Sequence, residues 1–336
     1  MAMLPKIGIT MGDPCGIGPE VIVKALSHGE VHEVCVPIVI GSAEVIRRDL
    51  KFVRDRLDLA LLSEEEIPDY TSSAEGRVAV LDLRNFDPPS YRPGQLSAGA
   101  GLAAAQCIEK AVQLAMDGII HGITTAPINK AALNMAGYHF QGHTEFLAHL
   151  TDNPSVVMML AGEKLRVTFV TTHAALRDIP DMITLESVLR TIRITWSGLR
   201  MMGIEEPRIA VAALNPHSGE GGVFGDEEMR VIEPAIERAK GEGIDVQGPF
   251  PADTLFVKAK EGVWDAVVTM YHDQGGIPVK MLEFEKVVNI TLGLPIIRTS
   301  VGHGTAFDIA GKGIADERNM ISAIMMAARL ARSRFS

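Results

Sequence analysis

Short β-branched, apolar runs recur along this chain, and three of them stop at a histidine. Arg166–Val170 leads into Thr171-Thr172-His173, Ile209–Leu214 into Asn215-Pro216-His217, and Ala266–Met270 into Tyr271-His272-Asp273-Gln274. Continuous apolar runs of this kind fit strands buried on both faces, as in a parallel sheet covered by helices. Similar runs alternate with helix-compatible stretches from the first residues: Lys6–Met11 then Pro19–Leu26, Val34–Ile40 then Ala43–Leu50, and Val78–Leu83 before a turn-rich Asn85–Gly94. Alternating strand and crossover helix predicts an α/β fold. Further helices are expected at Gly99–Met116, Asn129–Met135, Glu145–Leu150, Leu185–Met202, Asp226–Lys240 and Asn319–Ser333, with a strand at Ile119–Thr124.

The C-terminal ends of parallel strands gather ligands, so three imidazoles delivered there are candidates for one divalent metal. Neutral imidazole suits Zn²⁺ and its neighbours, and three protein ligands leave coordination positions open for a substrate. The alternative is three unrelated loop histidines.

At 336 residues the chain exceeds what one core usually serves, and two domains are expected. No low-complexity linker separates them, which favours domains crossed more than once by the chain, with crossings near Thr125–Asn129 and Asn289–Ser300. A net charge of −10 with no basic run argues against a nucleic-acid groove. Cys15, Cys35 and Cys107 lack the spacing of a disulfide framework or a thiolate zinc site. No secretory leader and no stretch near the ~20 apolar residues of a membrane span is evident, so a cytoplasmic protein without membrane contact is expected.

Several other motifs carry chemistry. Gly12-Asp13-Pro14-Cys15-Gly16-Ile17-Gly18-Pro19-Glu20 lies between a strand and a helix and is either a structural turn or a ligand loop. The third glycine of a dinucleotide fingerprint is missing, since Val21 occupies its place. His143 and Thr144 in Gly142-His143-Thr144-Glu145 stand at a helix start that would suit an anion, although Thr144 also reads as a simple N-cap. Lys280, beyond a His272-Asp273 turn, is a candidate proton carrier, and Arg298, ending Leu294–Ile297, a forked anion contact. Asn289 begins a further strand. Asp253 reads as an N-cap or a site carboxylate, and Asp273 as a group that orients an imidazole or polarises a hydroxyl. Gly302-His303-Gly304-Thr305 through Asp308 to Gly313 could wrap a nucleotide.

Taken together, Met11-Gly12-Asp13-Pro14-x-Gly16-Ile17-Gly18-Pro19-Glu20, Gly142-His143-Thr144-Glu145, Leu214-Asn215-Pro216-His217, Met270-Tyr271-His272-Asp273-Gln274-Gly275 and Val288-Asn289-Ile290-Thr291-x-Gly293-Leu294-Pro295 resemble the 4-hydroxythreonine-4-phosphate dehydrogenase family of vitamin B6 synthesis, in order and over nearly the whole chain. The resemblance implies an isocitrate/isopropylmalate dehydrogenase-like fold: two interleaved α/β/α domains with a cleft between them, here 1–126 plus 300–336 and 127–299. It implies a homodimer in which His173, His217 and His272 bind one divalent metal (Zn, Mg or Co) shared between subunits. His143, Thr144, Lys280, Asn289 and Arg298 would contact substrate, with Lys280 as candidate base. NAD or NADP would lie against Gly12, Asp13, Gly302, His303, Gly304, Thr305 and Asp308, although Gly302 stands where the family often carries an acidic residue.

The implied reaction is oxidation of 4-phosphohydroxy-L-threonine, with decarboxylation of the β-keto acid. Relatives in the family oxidise 4-phospho-D-threonate or 4-phospho-D-erythronate, or aromatic dihydrodiols. A metal-dependent hydrolase or aldolase is the alternative of a different class.

Overall fold

The computed structural model describes residues 4–54, 57–72, 76–88 and 91–335. Part of the expected Asn85–Gly94 turn lies outside the described residues. The chain forms two compact units, residues 1–154 with 294–336 and residues 155–293.

The first unit holds strands β1 (Lys6–Thr10), β2 (Val36–Gly41), β3 (Asp58–Leu62), β4 (Arg77–Asp82) and β5 (Gly122–Thr125), and the chain's last strand, β12 (Arg298–Val301). Their order is β3-β4-β2-β1-β5-β12, all parallel. Every residue of β1, β2, β5 and β12 is buried, which is why these strands read as unbroken apolar runs. Edge strand β3 is half-exposed and escaped the sequence reading. Polar side chains start the helices: Ser97 accepts the N–H of Ala100 ahead of Ala98–Met116, and Asn129 that of Ala132 ahead of Lys130–Met135.

The second unit contains β6 (Val157–Ala161), β7 (Arg166–Phe169), β8 (Arg208–Ala212), β9 (Asp245–Phe250), β10 (Ala266–Thr269) and β11 (Val288–Leu292), ordered β11-β6-β7-β10-β8-β9. β11, β6 and β7 pair antiparallel, while β7, β10, β8 and β9 run parallel. Val167, Phe169, Ala210, Ala212 and Val267 form its buried centre with Leu255 and Val279 from covering helices. β9, with Gly248 and Pro249 inside it, had no strand pattern to read.

The divisions fall after Pro154 and before Leu294, whereas the sequence reading placed 127–154 and 294–299 in the second domain. Local packing explains the difference. Gly101 leaves room for the main chain of Ala132, Tyr138 donates to Glu109 at 3.1 Å, and buried Phe146 stacks on Phe140 at 4.7 Å. On the return, Ile123 N–H donates to the carbonyl of Ile297 at 2.9 Å, and Arg298 pairs with Ile123 as the first residue of β12 rather than the end of a strand over 294–297.

Candidate active site

His173, His217 and His272 follow the C-terminal ends of β7, β8 and β10, three neighbours in one parallel set with β10 in the middle. The ends are fastened to each other. Thr171 donates from its N–H (3.1 Å) and its hydroxyl (2.7 Å) to the carbonyl of Met270. Gln274 accepts the N–H of Met270 at 2.7 Å and donates to the carbonyl of Ala213 at 2.6 Å, joining the end of β10 to that of β8. The rings of His173 and His272 lie 6.3 Å apart, and His272 also stacks on Phe169 at 5.8 Å. With metal–nitrogen bonds of about 2.0–2.1 Å, two imidazoles at that separation are within the span of a shared cation.

His217 is placed differently. It is exposed, its Nδ1 faces Glu220 at 3.2 Å, and it opens a left-handed stretch in which His217 through Gly222 all have positive φ. Among the described residues, no three His, Cys, Asp or Glu side chains of one chain gather closely enough to hold a metal ion. The chain thus brings His173 and His272 together and does not bring His217 to them.

His272 starts a helix, His272–Glu283, where the sequence reading expected only a turn. Glycines and Pro278 lower its helical propensity, but buried Gln274, Gly275 and Val279 pack it onto the sheet. His272, Gly276 and Lys280 fall four residues apart on one face, and Gly276 leaves the imidazole uncovered. Asp273 meets His272 Nδ1 at 2.7 Å from an exposed position. Asn289, second residue of β11, holds a buried Oδ1 with no partner. Asp253 is exposed in the first turn of Ala252–Ala259; the cap is Pro251, so Asp253 is not the N-cap.

In the first unit, His143 and Thr144 are the first two residues of His143–Leu150. The cap is Gly142 in extended conformation (φ 169°), which corrects the reading of Thr144 as N-cap. Without a side-chain cap, the helix start keeps donors available to an anion. The Nε2 of His143 is buried without a partner, and burial together with the Arg298 charge holds its imidazole well below the ordinary histidine range. Arg298 is 2% exposed and donates from Nε (3.2 Å) and Nη2 (2.8 Å) to the Thr125 hydroxyl, a partner the sequence did not single out. Burial pushes its guanidinium down to about 9, opposed by Glu145.

The glycine-rich segments of this unit are laced to one another. Ile17 N–H donates to the carbonyl of Thr305 at 3.0 Å, and a Cβ on Gly16 would come within 2.9 Å of Thr305. Buried Glu20 accepts the N–H groups of Gly313 (3.2 Å) and Ala315 (2.8 Å) and the Lys24 ammonium. It is a fastening of the loop. Asn319 accepts the N–H of Gly302 at 2.6 Å; His303 has a buried, unpartnered Nε2; a Cβ at Gly304 would meet nothing; Asp308 is exposed. Gly12 has φ +72° beside the main chain of Ala126 and Pro127. Asp13 is 1% exposed, with Oδ1 accepting from Cys15 N–H at 2.8 Å and Oδ2 buried without a partner. No helix among the described residues is long and apolar enough to cross a membrane.

Comparison with known proteins shows what the chain is similar to. The 4-hydroxythreonine-4-phosphate dehydrogenase of Geobacter metallireducens is 48% identical over 328 residues, 98% of this chain and 96% of the relative. The D-threonate 4-phosphate dehydrogenase of Cupriavidus necator is 50% identical over 333 residues, 98% of each. A crystal structure of 4-hydroxythreonine-4-phosphate dehydrogenase from Klebsiella pneumoniae matches with a TM-score of 0.90 at 44% identity, covering 97% of this chain and 99% of that one. The family model described as pyridoxal phosphate biosynthetic protein PdxA matches residues 33–327, and the chain belongs to that family.

Proposed function

We propose that this chain is a dehydrogenase that uses NAD or NADP and a divalent metal to oxidise the secondary hydroxyl of a phosphorylated four-carbon hydroxy acid, 4-phosphohydroxy-L-threonine in the first instance. The delivery of His173, His217 and His272 by three neighbouring parallel strands carries the reading. His173 and His272 of one subunit and His217 of another would hold the metal in a homodimer. When bound, the metal supplies Lewis acidity to the substrate hydroxyl and the nicotinamide accepts the hydride.

The chain's own residues do the rest. Arg298, His143 and Thr144 form an anion-binding set suited to phosphate, with the guanidinium as charge and the helix start as donors. Asn289, with its buried acceptor unfilled, is the candidate partner for a substrate hydroxyl or ammonium. Lys280 is the candidate base for the hydroxyl proton, and its charge would stabilise the enolate formed when the β-keto acid loses CO₂. The orphaned Nε2 of His303, the open backbone at Gly304, and Gly12, Asp13, Gly302, Thr305 and Asp308 form the candidate nucleotide seat.

A second reading is oxidation of 4-phospho-D-threonate or 4-phospho-D-erythronate, and the 50% identity to the D-threonate 4-phosphate enzyme supports the first of these. One panel decides between them. The purified protein with NAD and Mg²⁺, Zn²⁺ or Co²⁺ is offered the three phosphorylated acids, and NADH is followed at ~340 nm. The substrate with the highest kcat/KM sets the branch. Absence of NADH with all three, alongside phosphate release or carbon–carbon cleavage, would instead support a hydrolase or aldolase.

A further inference from the structure

We infer that Glu228 is a positioning residue for the metal centre, acting through the Asn215-Pro216-His217 turn. The inference rests on His217 being a metal ligand. Glu228 is 1% exposed, and its Oε1 accepts the main-chain N–H groups of Leu214 (2.8 Å) and Asn215 (2.7 Å), while Oε2 accepts Asn215 Nδ2 at 3.0 Å. One carboxylate therefore holds the last two of the three residues between the end of β8 and Pro216-His217. Opposite it, Gln274 holds the Ala213 carbonyl from the helix that carries His272.

The surroundings are built around this carboxylate. Gly219, in the left-handed stretch after His217, has φ +74°, and a Cβ there would come within 2.7 Å of Glu228 Oε2. Glu228 itself opens a wide π-type turn, Glu228–Ile232, ahead of the helix Glu233–Gly241. Such turns insert one extra residue into a helix and recur at functional sites. His217 is exposed, with Glu220 Oε2 at 3.2 Å and the Phe224 ring edge-on at 6.1 Å; the Glu228 hydrogen bonds instead set where its left-handed turn leaves β8. A carboxylate filled by N–H donors serves where a neutral amide cannot, because Gln would turn a donor toward a donor on one side.

The test is Co²⁺ affinity of the full-length protein, read by equilibrium dialysis and by the visible absorption of the bound ion, alongside thermal melting. Glu228→Gln is expected to weaken Co²⁺ binding by about 10–100-fold. Asn215→Ala, which removes the side-chain contacts to Glu228 Oε2 (3.0 Å) and Glu227 Oε2 (2.6 Å) but leaves both main-chain N–H bonds to Glu228 Oε1, is expected to weaken it by less and remains informative if Glu228→Gln does not fold. Asp265→Asn is the control, since Asp265 accepts the Arg208 N–H at 2.8 Å at the opposite end of β8. It should lower the melting temperature with unchanged Co²⁺ affinity. Wild-type affinity in folded Glu228→Gln, or in Asn215→Ala if the former does not fold, would overturn the inference, as would equal loss in Asp265→Asn. His217→Ala separates the two levels: if it too binds Co²⁺ as wild type does, the metal assignment itself fails.

Discussion

Asp13 shows how burial alone can set a residue's charge. Its carboxyl is pushed up to about 6 by burial, although N–H groups of Cys15 and Gly16 oppose the shift. The folded state holds this proton more tightly than the unfolded chain, where the group titrates near 4. Ionised Asp13 therefore costs stability above about pH 6, by about 3 kcal/mol, and this cost vanishes below about pH 4. Asp13→Asn is expected to gain on wild type in urea unfolding as pH rises through that window and to hold its gain above it; parallel curves would remove the effect. Arg298 sits at the opposite limit. Burial disfavours its charge and Glu145 supports it, and the guanidinium stays protonated across the working pH range. Arg298→Ala should raise KM for the phosphorylated substrate by an amount equivalent to about 2–5 kcal/mol, and an unchanged KM would take Arg298 out of the site.

At the scale of elements, close approach decides which glycines matter. Alanine normally stabilises a helix interior over glycine, by about 1 kcal/mol. Gly101→Ala should do the reverse, because its methyl would run into the Ala132 main chain where Ala98–Met116 meets Lys130–Met135. Overpacking of this kind costs about 1–3 kcal/mol, so the melting temperature should fall; a rise would mean that the two helices can separate freely. The same scale separates what periodicity reveals from what it hides. Buried strands such as β1, β2 and β10 were legible because both faces are covered. The helix His272–Glu283 was hidden, since two glycines and a proline mask it and only packing against β7 and β10 makes it helical.

For the whole molecule, one face of His272–Glu283 faces outward in a way that a lone chain does not explain. Ile277 and Met281, on the helix that carries His272 and Lys280, and Phe284 at its C-cap are 56%, 82% and 66% exposed at helical spacing. The homodimer proposed above would cover this stripe. Wild-type protein is expected to show twice the mass of one chain in light scattering. Met281→Asp should shift it toward the monomer and lose Co²⁺ affinity in parallel. A monomeric variant with undiminished affinity would place all the metal ligands in one chain.

By itself the sequence determined the α/β class, the strands that end in His173, His217 and His272, and the family, because covalent order and local hydrophobic period survive in a linear string. Only the tertiary structure decided that Glu20 fastens a loop nearly three hundred residues away, that Glu228 and Gln274 hold the Ala213–Asn215 turn, and that Thr125 meets Arg298. The physical reason is common to all of them. A buried polar group needs a hydrogen-bond partner, but nothing in local spacing says which distant donor or acceptor folding will bring to it.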